Sequence, residues 1–117
     1  MGTNYYVVRN RPTIESPIHI GKSSAGWLFN FQSQNEKWHD PPIVWNTYNQ
    51  VIDWLKTYTV EKKEYAIINE CDEVLSLDDF IEIIQFKQND EFCNRNKDNF
   101  TYSKNVDGYR FTDGEFL

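Results

Sequence analysis

The placement of proline and glycine limits this chain more than any other feature of its sequence. The four prolines are Pro12, Pro17, Pro41 and Pro42, and Gly21 and Gly26 stand between them. Proline removes an amide donor and fixes φ, and glycine weakens regular structure, so no long helix is expected through this stretch. The runs left between the breaks are Tyr5-Tyr6-Val7-Val8-Arg9, Ile18-His19-Ile20 and Trp27-Leu28-Phe29-Asn30-Phe31. They are short and rich in β-branched and aromatic residues, which predicts strands. Segments 11–17 and 32–42 are expected to be loops, the second because it is polar and holds the proline pair.

The pattern changes after Trp45. Thr47-Tyr48-Asn49-Gln50 has the form of a capping box, in which the hydroxyl accepts from the third helical amide and Gln50 reaches back. Tyr48, Val51, Ile52, Leu55 and Tyr58 then follow helical spacing, predicting a helix over 47–59. Tyr65-Ala66-Ile67-Ile68-Asn69 predicts another strand, and Glu70-Cys71-Asp72-Glu73 an acidic turn. Ser76 caps a second expected helix over 76–87, with Asp78 and Asp79 in its first turn, where the helix dipole favours negative charge. Residues 90–100 are polar and Asn-rich and are expected as loop. Thr101-Tyr102-Ser103 and Tyr109-Arg110-Phe111-Thr112 flank Asp107-Gly108 as a closing hairpin. This order predicts an α+β fold: an antiparallel or mixed sheet of about four to six strands with two helices packed on one face. The expected core is Tyr6 or Val7, Trp27, Phe29, Val51, Leu55, Ile67, Phe80, Ile84 and Phe111.

A chain of 117 residues suits a single domain over 1–117. Its 4 Trp, 7 Tyr and 8 Phe supply the apolar area for one core despite a polar average. No run approaches the ~18 apolar residues of a membrane span, and no charged-then-apolar leader opens the sequence. Met1-Gly2 begins like a myristoylation site, but Tyr6 stands where Ser or Thr is required. Asn99-Phe100-Thr101 is a glycosylation sequon with no secretory signal to use it. Cys71 and Cys93 are far apart and form no CxxC, so they are expected as reduced thiols and not as a metal site. The formal charge of −6 disfavours a general phosphate-backbone binder; it suits solubility, a basic protein surface or imitation of nucleic acid.

The segment Gly21-Lys22-Ser23-Ser24-Ala25-Gly26 carries the most distinctive chemistry. As a surface turn between two strands it offers two readings. Successive amides, Lys22 and the hydroxyls of Ser23 and Ser24 can form an anion-binding concavity, with His19 as a further donor or an acid–base group. Alternatively the glycines only supply the reversal and the serines satisfy backbone groups. The segment is not a Walker A loop, because Ser16 occupies the upstream glycine position and a strand follows. The candidate ligand-binding residues are therefore His19, Gly21, Lys22, Ser23, Ser24 and Gly26. No catalytic residue, metal ligand or cofactor is expected. Glu70, Asp72 and Glu73 lack the spacing of an EF-hand. Trp38-His39-Asp40 reads as polar surface, and there is no nucleophile elbow.

Three blocks together carry a resemblance: Met1-Gly2-Thr3-Asn4-Tyr5-Tyr6, His19-Ile20-Gly21-Lys22-Ser23-Ser24-Ala25-Gly26-Trp27 and Asp113-Gly114-Glu115-Phe116. The chain resembles a family of small bacteriophage proteins with an MGTNYY start, an HIGKSSAGW block and a GEF C-terminus. Its middle, with Leu75-Ser76-Leu77-Asp78-Asp79-Phe80 entering a helix, is similar too. Many members carry paired cysteines before the HIGKSS block, whereas the interval Arg9 to Ile18 has none here, so no metal role carries over. The resemblance implies a phage origin and expression in a bacterial cytoplasm, and it implies no reaction. The leading expectation is a non-catalytic accessory protein that binds and modulates a host factor, such as a component of host defence. The alternative is capture of a phosphate-bearing small molecule, such as a nucleotide, through His19–Gly26. A small enzyme using His19 and Lys22 on a phosphorylated substrate ranks last. The expected partner is a host protein or an anionic small molecule, with neither general nucleic-acid binding nor a membrane.

Overall fold

The computed structural model describes residues 2–95 and 103–113. In chain order the elements are β1 (Gly2–Arg9), β2 (Ile18–Ser24), β3 (Asn30–Gln32), β4 (Gln34–Glu36), β5 (Ile43–Trp45), α1 (Tyr48–Leu55), β6 (Tyr65–Asn69), β7 (Val74–Leu75), α2 (Leu77–Gln88), α3 (Glu91–Arg95), β8 (Lys104–Val106) and β9 (Tyr109–Thr112). The fold is α+β, as expected. A seven-stranded sheet has the order β7-β6-β1-β2-β3-β9-β8, and β4 and β5 form a separate two-stranded ribbon. The large sheet is mixed because β3 and β9 run parallel while its other pairs are antiparallel.

Both long helices begin where their caps require. The Thr47 hydroxyl accepts from the Gln50 amide at 3.2 Å, and Gln50 reaches back one residue further than expected, accepting from the Asn46 amide at 2.7 Å. Helix α1 continues as a π-helical segment, Lys56–Glu61. Ser76 accepts from the Asp79 amide at 3.1 Å, with Asp78 and Asp79 in the first turn. Val51, Trp54 and Leu55 of α1 and Phe80 and Ile84 of α2 meet Tyr5, Val7, Ile20, Phe31, Ile67 and Phe111 of the sheet in one core. Its centre is aromatic: Phe29 lies 4.7 Å from Phe31 and edge-on to Phe80 at 5.5 Å, and Phe31 stacks on Phe111 at 4.9 Å. One face of the sheet is thereby covered by helices, and the site lies on the other.

The register between β1 and β2 shifts at one point, where Tyr5 faces Gly21 and Tyr6 faces His19. Ile20 is the extra residue of a bulge and remains fully buried in the core. Residues three apart in a regular strand point to opposite faces. The bulge instead sets His19 and Lys22 on the same face, across from Tyr6 and Asn4.

Four expectations are corrected. Gly21–Gly26 is not one turn: strand β2 runs on through Ser24, and the chain reverses at Ala25 and Gly26, closed by the Trp27 amide on the Ser24 carbonyl at 3.2 Å. Gly26 supplies the positive φ of +80°, whereas Gly21 is needed for space, since a Cβ there would stand 2.4 Å from the Asn30 carbonyl oxygen. Trp27 is not core. It is 37% exposed with the Arg110 guanidinium 5.6 Å from its ring, and Leu28 and Phe29 take the buried positions. Segment 32–42 contains β4, which pairs with β5 through Gln34–Trp45 and Glu36–Ile43. Residues 91–95 are helical, started by Asp90 accepting from the Phe92 amide at 2.9 Å. The closing hairpin is present, with Asp107 and Gly108 both at positive φ. Its first strand is Lys104–Val106, and the expected positions 101 and 102 lie outside the described residues.

Candidate functional site

The helix-free face is polar for a reason visible in the alternation of β3. Phe31 turns into the core, so Asn30 and Gln32 turn away from it, and both are nevertheless buried. An open cleft of about 910 Å³ lies on this face, lined by the sheet, by the ribbon of β4 and β5 and by residues of loops 10–17 and 37–42. Asn4 and Tyr6 of β1, His19 of β2, Gln32, Ser33, Gln34, Glu15, His39 and Asp113 all line it.

The floor is a knit of side-chain and backbone bonds. Thr112 Oγ1 donates to Asn30 Oδ1 at 2.8 Å, and Gln32 Nε2 donates to the carbonyls of Thr112 and Asp113 at 3.2 and 3.3 Å. The Ser33 amide donates to the Thr112 carbonyl at 2.9 Å, while the buried Ser33 Oγ has no hydrogen-bond partner among the described residues. Along one wall His19 Nε2 lies 3.0 Å from Asn4 Oδ1, its ring is 5.2 Å from that of Tyr6, and its carbonyl accepts from Gln34 Nε2 at 3.0 Å.

The mouth is closed on one side by a charged clamp. Arg9 Nε donates to Glu15 Oε2 at 2.6 Å, and His39 Nε2 meets the other carboxylate oxygen. His39 Nδ1 is 2.7 Å from the Pro41 carbonyl, and Arg9 also reaches the Asp40 carbonyl and lies 4.9 Å over the Tyr65 ring. Partial burial alone would raise the Glu15 carboxyl. The bonds and charges of Arg9 and His39 outweigh it and hold that carboxyl below its ordinary value. Burial pushes the Tyr65 phenol up to about 12. The clamp joins two loops, and each loop presents a large apolar side chain to solvent beside it. Ile14 and Trp38 are 105% and 100% exposed.

Of the sequence-derived candidates, only His19 lines the cleft. Lys22 shares its face, opposite Asn4 and Asn30, but stands outside the lining. Ser23 lies on the helix side beside Asp79 and Lys87, and the Ser24 carbonyl accepts from Lys87 Nζ at 2.5 Å. Gly21 is packed on Phe29, and Gly26 lies against Phe92. Successive amides of a strand point to opposite edges, so those of Gly21 to Ser24 do not converge as an anion cradle requires. Glu15, Gln32, Ser33 and Gln34 carried no recognisable motif, and Asp113 stood only at the head of the C-terminal block of the resemblance. His39 was visible only beside Asp40, whereas its partner is Glu15, from another loop.

Among the described residues the lining includes the acids Glu15, Glu36 and Asp113 and no Lys or Arg. Cys71 is exposed, Cys93 is buried, and both are free thiols. Among the described residues no group of three or more His, Cys, Asp or Glu is gathered to hold a metal ion, and no helix is long and apolar enough to cross a membrane. Compared with protein-family models, curated proteins and solved structures, the chain matches none.

Proposed function

We propose that this chain is a non-catalytic phage accessory protein that binds and modulates a host factor in the bacterial cytoplasm, acting as a counter-defence inhibitor. The observation that carries this reading is the pair Ile14 and Trp38, fully exposed on loops that the Glu15–His39 contact holds together. An exposed Trp beside an exposed aliphatic residue is the composition of an interface anchor, and a braced loop loses less freedom on binding. The net charge of −6 favours a partner with a basic surface around an apolar pocket. The bacteriophage resemblance supports a host protein as that partner.

The test compares the native chain with an Ile14→Ser/Trp38→Ala double variant as bait in bacterial lysate. Both side chains are solvent-facing, so each substitution should change stability by under about 0.5 kcal/mol. A partner enriched by the native chain and lost by the variant, with retained folding of the variant, is the expected result. Equal enrichment by both baits, or enrichment by neither, removes the rim as the recognition surface.

A further inference from the structure

Beneath the rim, the floor of the cleft has a chemistry of its own. Tyr6 and His19 present adjoining rings on the open face of the sheet, with His19 held by Asn4 Oδ1 at 3.0 Å. The same cleft is lined by Gln34, whose Nε2 donates to the His19 carbonyl, by Asp113, paired with Lys104, and by Glu36 and Ser33. Ser33 is 7% exposed and its Oγ has no hydrogen-bond partner among the described residues, although a buried hydroxyl ordinarily has one. A volume of about 910 Å³ is within the range of small-molecule sites.

We propose that this cleft binds a nucleobase carried by an uncharged nucleoside, stacked on Tyr6 and read at its edge by Glu36 and Ser33. Aromatic side chains on a sheet face accept any base through its π surface. A carboxylate accepts from an exocyclic amine, and a hydroxyl donates to a ring nitrogen. Glu15 is committed to Arg9 and His39, and Asp113 is paired with Lys104 at 3.2 Å, so Glu36 is the acid that accepts from the base. Glu36 accepting an exocyclic amine while the Ser33 hydroxyl donates to the neighbouring ring nitrogen matches adenosine and cytidine, whereas uridine presents the reverse pattern. With no Lys or Arg among the described lining residues, Glu36 and the net charge of −6 disfavour a phosphate, so the base arrives as a free nucleoside and not as a nucleotide or a nucleic-acid strand. This site is separate from the Ile14–Trp38 rim and stands whether or not that rim binds a partner.

The experiment is a titration of the isotope-labelled full chain, followed by amide NMR shifts. The probes are adenosine, cytidine, uridine, adenosine 5′-monophosphate and a short single-stranded DNA. Adenosine or cytidine should shift Asn4, Tyr6, His19 and Gln34 saturably. Uridine should bind about tenfold more weakly, and so should the monophosphate, while the DNA should leave these signals unmoved. Tyr6→Leu keeps apolar bulk without a stacking face and should weaken adenosine about tenfold. Ser33→Ala removes only the buried hydroxyl, so it should keep the fold and weaken binding several-fold even if Tyr6→Leu does not fold. The proposal is overturned if no nucleoside gives saturable shifts at millimolar concentration. It is overturned equally if the monophosphate or the DNA binds as tightly as adenosine, or if Ser33→Ala binds like the native chain. Nucleoside failure alongside a rim-dependent partner overturns this proposal alone; nucleoside binding with no such partner overturns only the rim reading.

Discussion

Glu15 shows how one side chain can organise a surface that its own neighbourhood in sequence does not suggest. It bridges Arg9, six residues upstream, and His39, twenty-four residues downstream, and so ties two loops to strand β1. Its carboxyl is held below its ordinary value, which makes the clamp a pH-dependent contribution to stability. A depressed carboxyl stabilises the fold fully above its unfolded value of about 4.3, and the effect disappears as pH falls through the lower folded value. Glu15→Gln should therefore cost about 1 kcal/mol near neutral pH, the upper end for a pair close to the surface. In urea titrations the gap between the variant and the native chain should close below about pH 4. A gap that persists in acid would show that Glu15 acts through packing and not through charge.

At the scale of the element, strand β2 decides what its most distinctive residues do. Its amides are committed to an extended ladder, and its bulge at Ile20 turns His19 and Lys22 to one face while Ser23 goes to the other. Gly21 is the position that permits this arrangement. An added Cβ would meet a backbone oxygen at 2.4 Å and the Phe29 ring at 2.5 Å, and the backbone of β3 cannot yield without separating the strands. Gly21→Ala should cost about 1–3 kcal/mol as overpacking. Gly26→Ala meets mainly the mobile end of the Phe92 ring and pays about 1 kcal/mol for its positive φ. Urea midpoints that ranked Gly26→Ala as the more damaging variant would contradict the packing role of Gly21.

Across the whole molecule, helices from the middle of the chain and strands from both ends share one aromatic core. Phe80 of α2 touches Tyr5 of β1 at 5.4 Å between rings and Phe29 at 5.5 Å, and it is fully buried. Phe80→Ala should cost about 3–5 kcal/mol, a large share of the ~5–15 kcal/mol that holds a domain of this size. Because this core spans the chain, far-ultraviolet and near-ultraviolet circular dichroism of the native protein should report one transition at the same denaturant concentration. Two separated transitions would divide the chain into independently folding parts.

Sequence alone determined what depends on neighbours a few residues apart. The Thr47 and Ser76 caps, the helical spacing of Val51 and Leu55, and the Asp107-Gly108 turn act over one or two helical turns or a single reversal, and each stands where its local chemistry puts it. Those signals, with the β-branched and aromatic runs between prolines, were enough for the fold class and for a core that includes Val7, Phe29, Ile67, Phe80 and Phe111. The tertiary structure alone decided the cleft, because its parts meet through contacts with no local signature. Glu15 finds His39 across loops, Gln32 finds Thr112 and Asp113 some eighty residues away, and β9 joins β3 in parallel. The fate of the glycine-serine block followed from the same cause. Its residues permit either a turn or a strand, and the Cβ-free contact of Gly21 with β3 settles it as a strand.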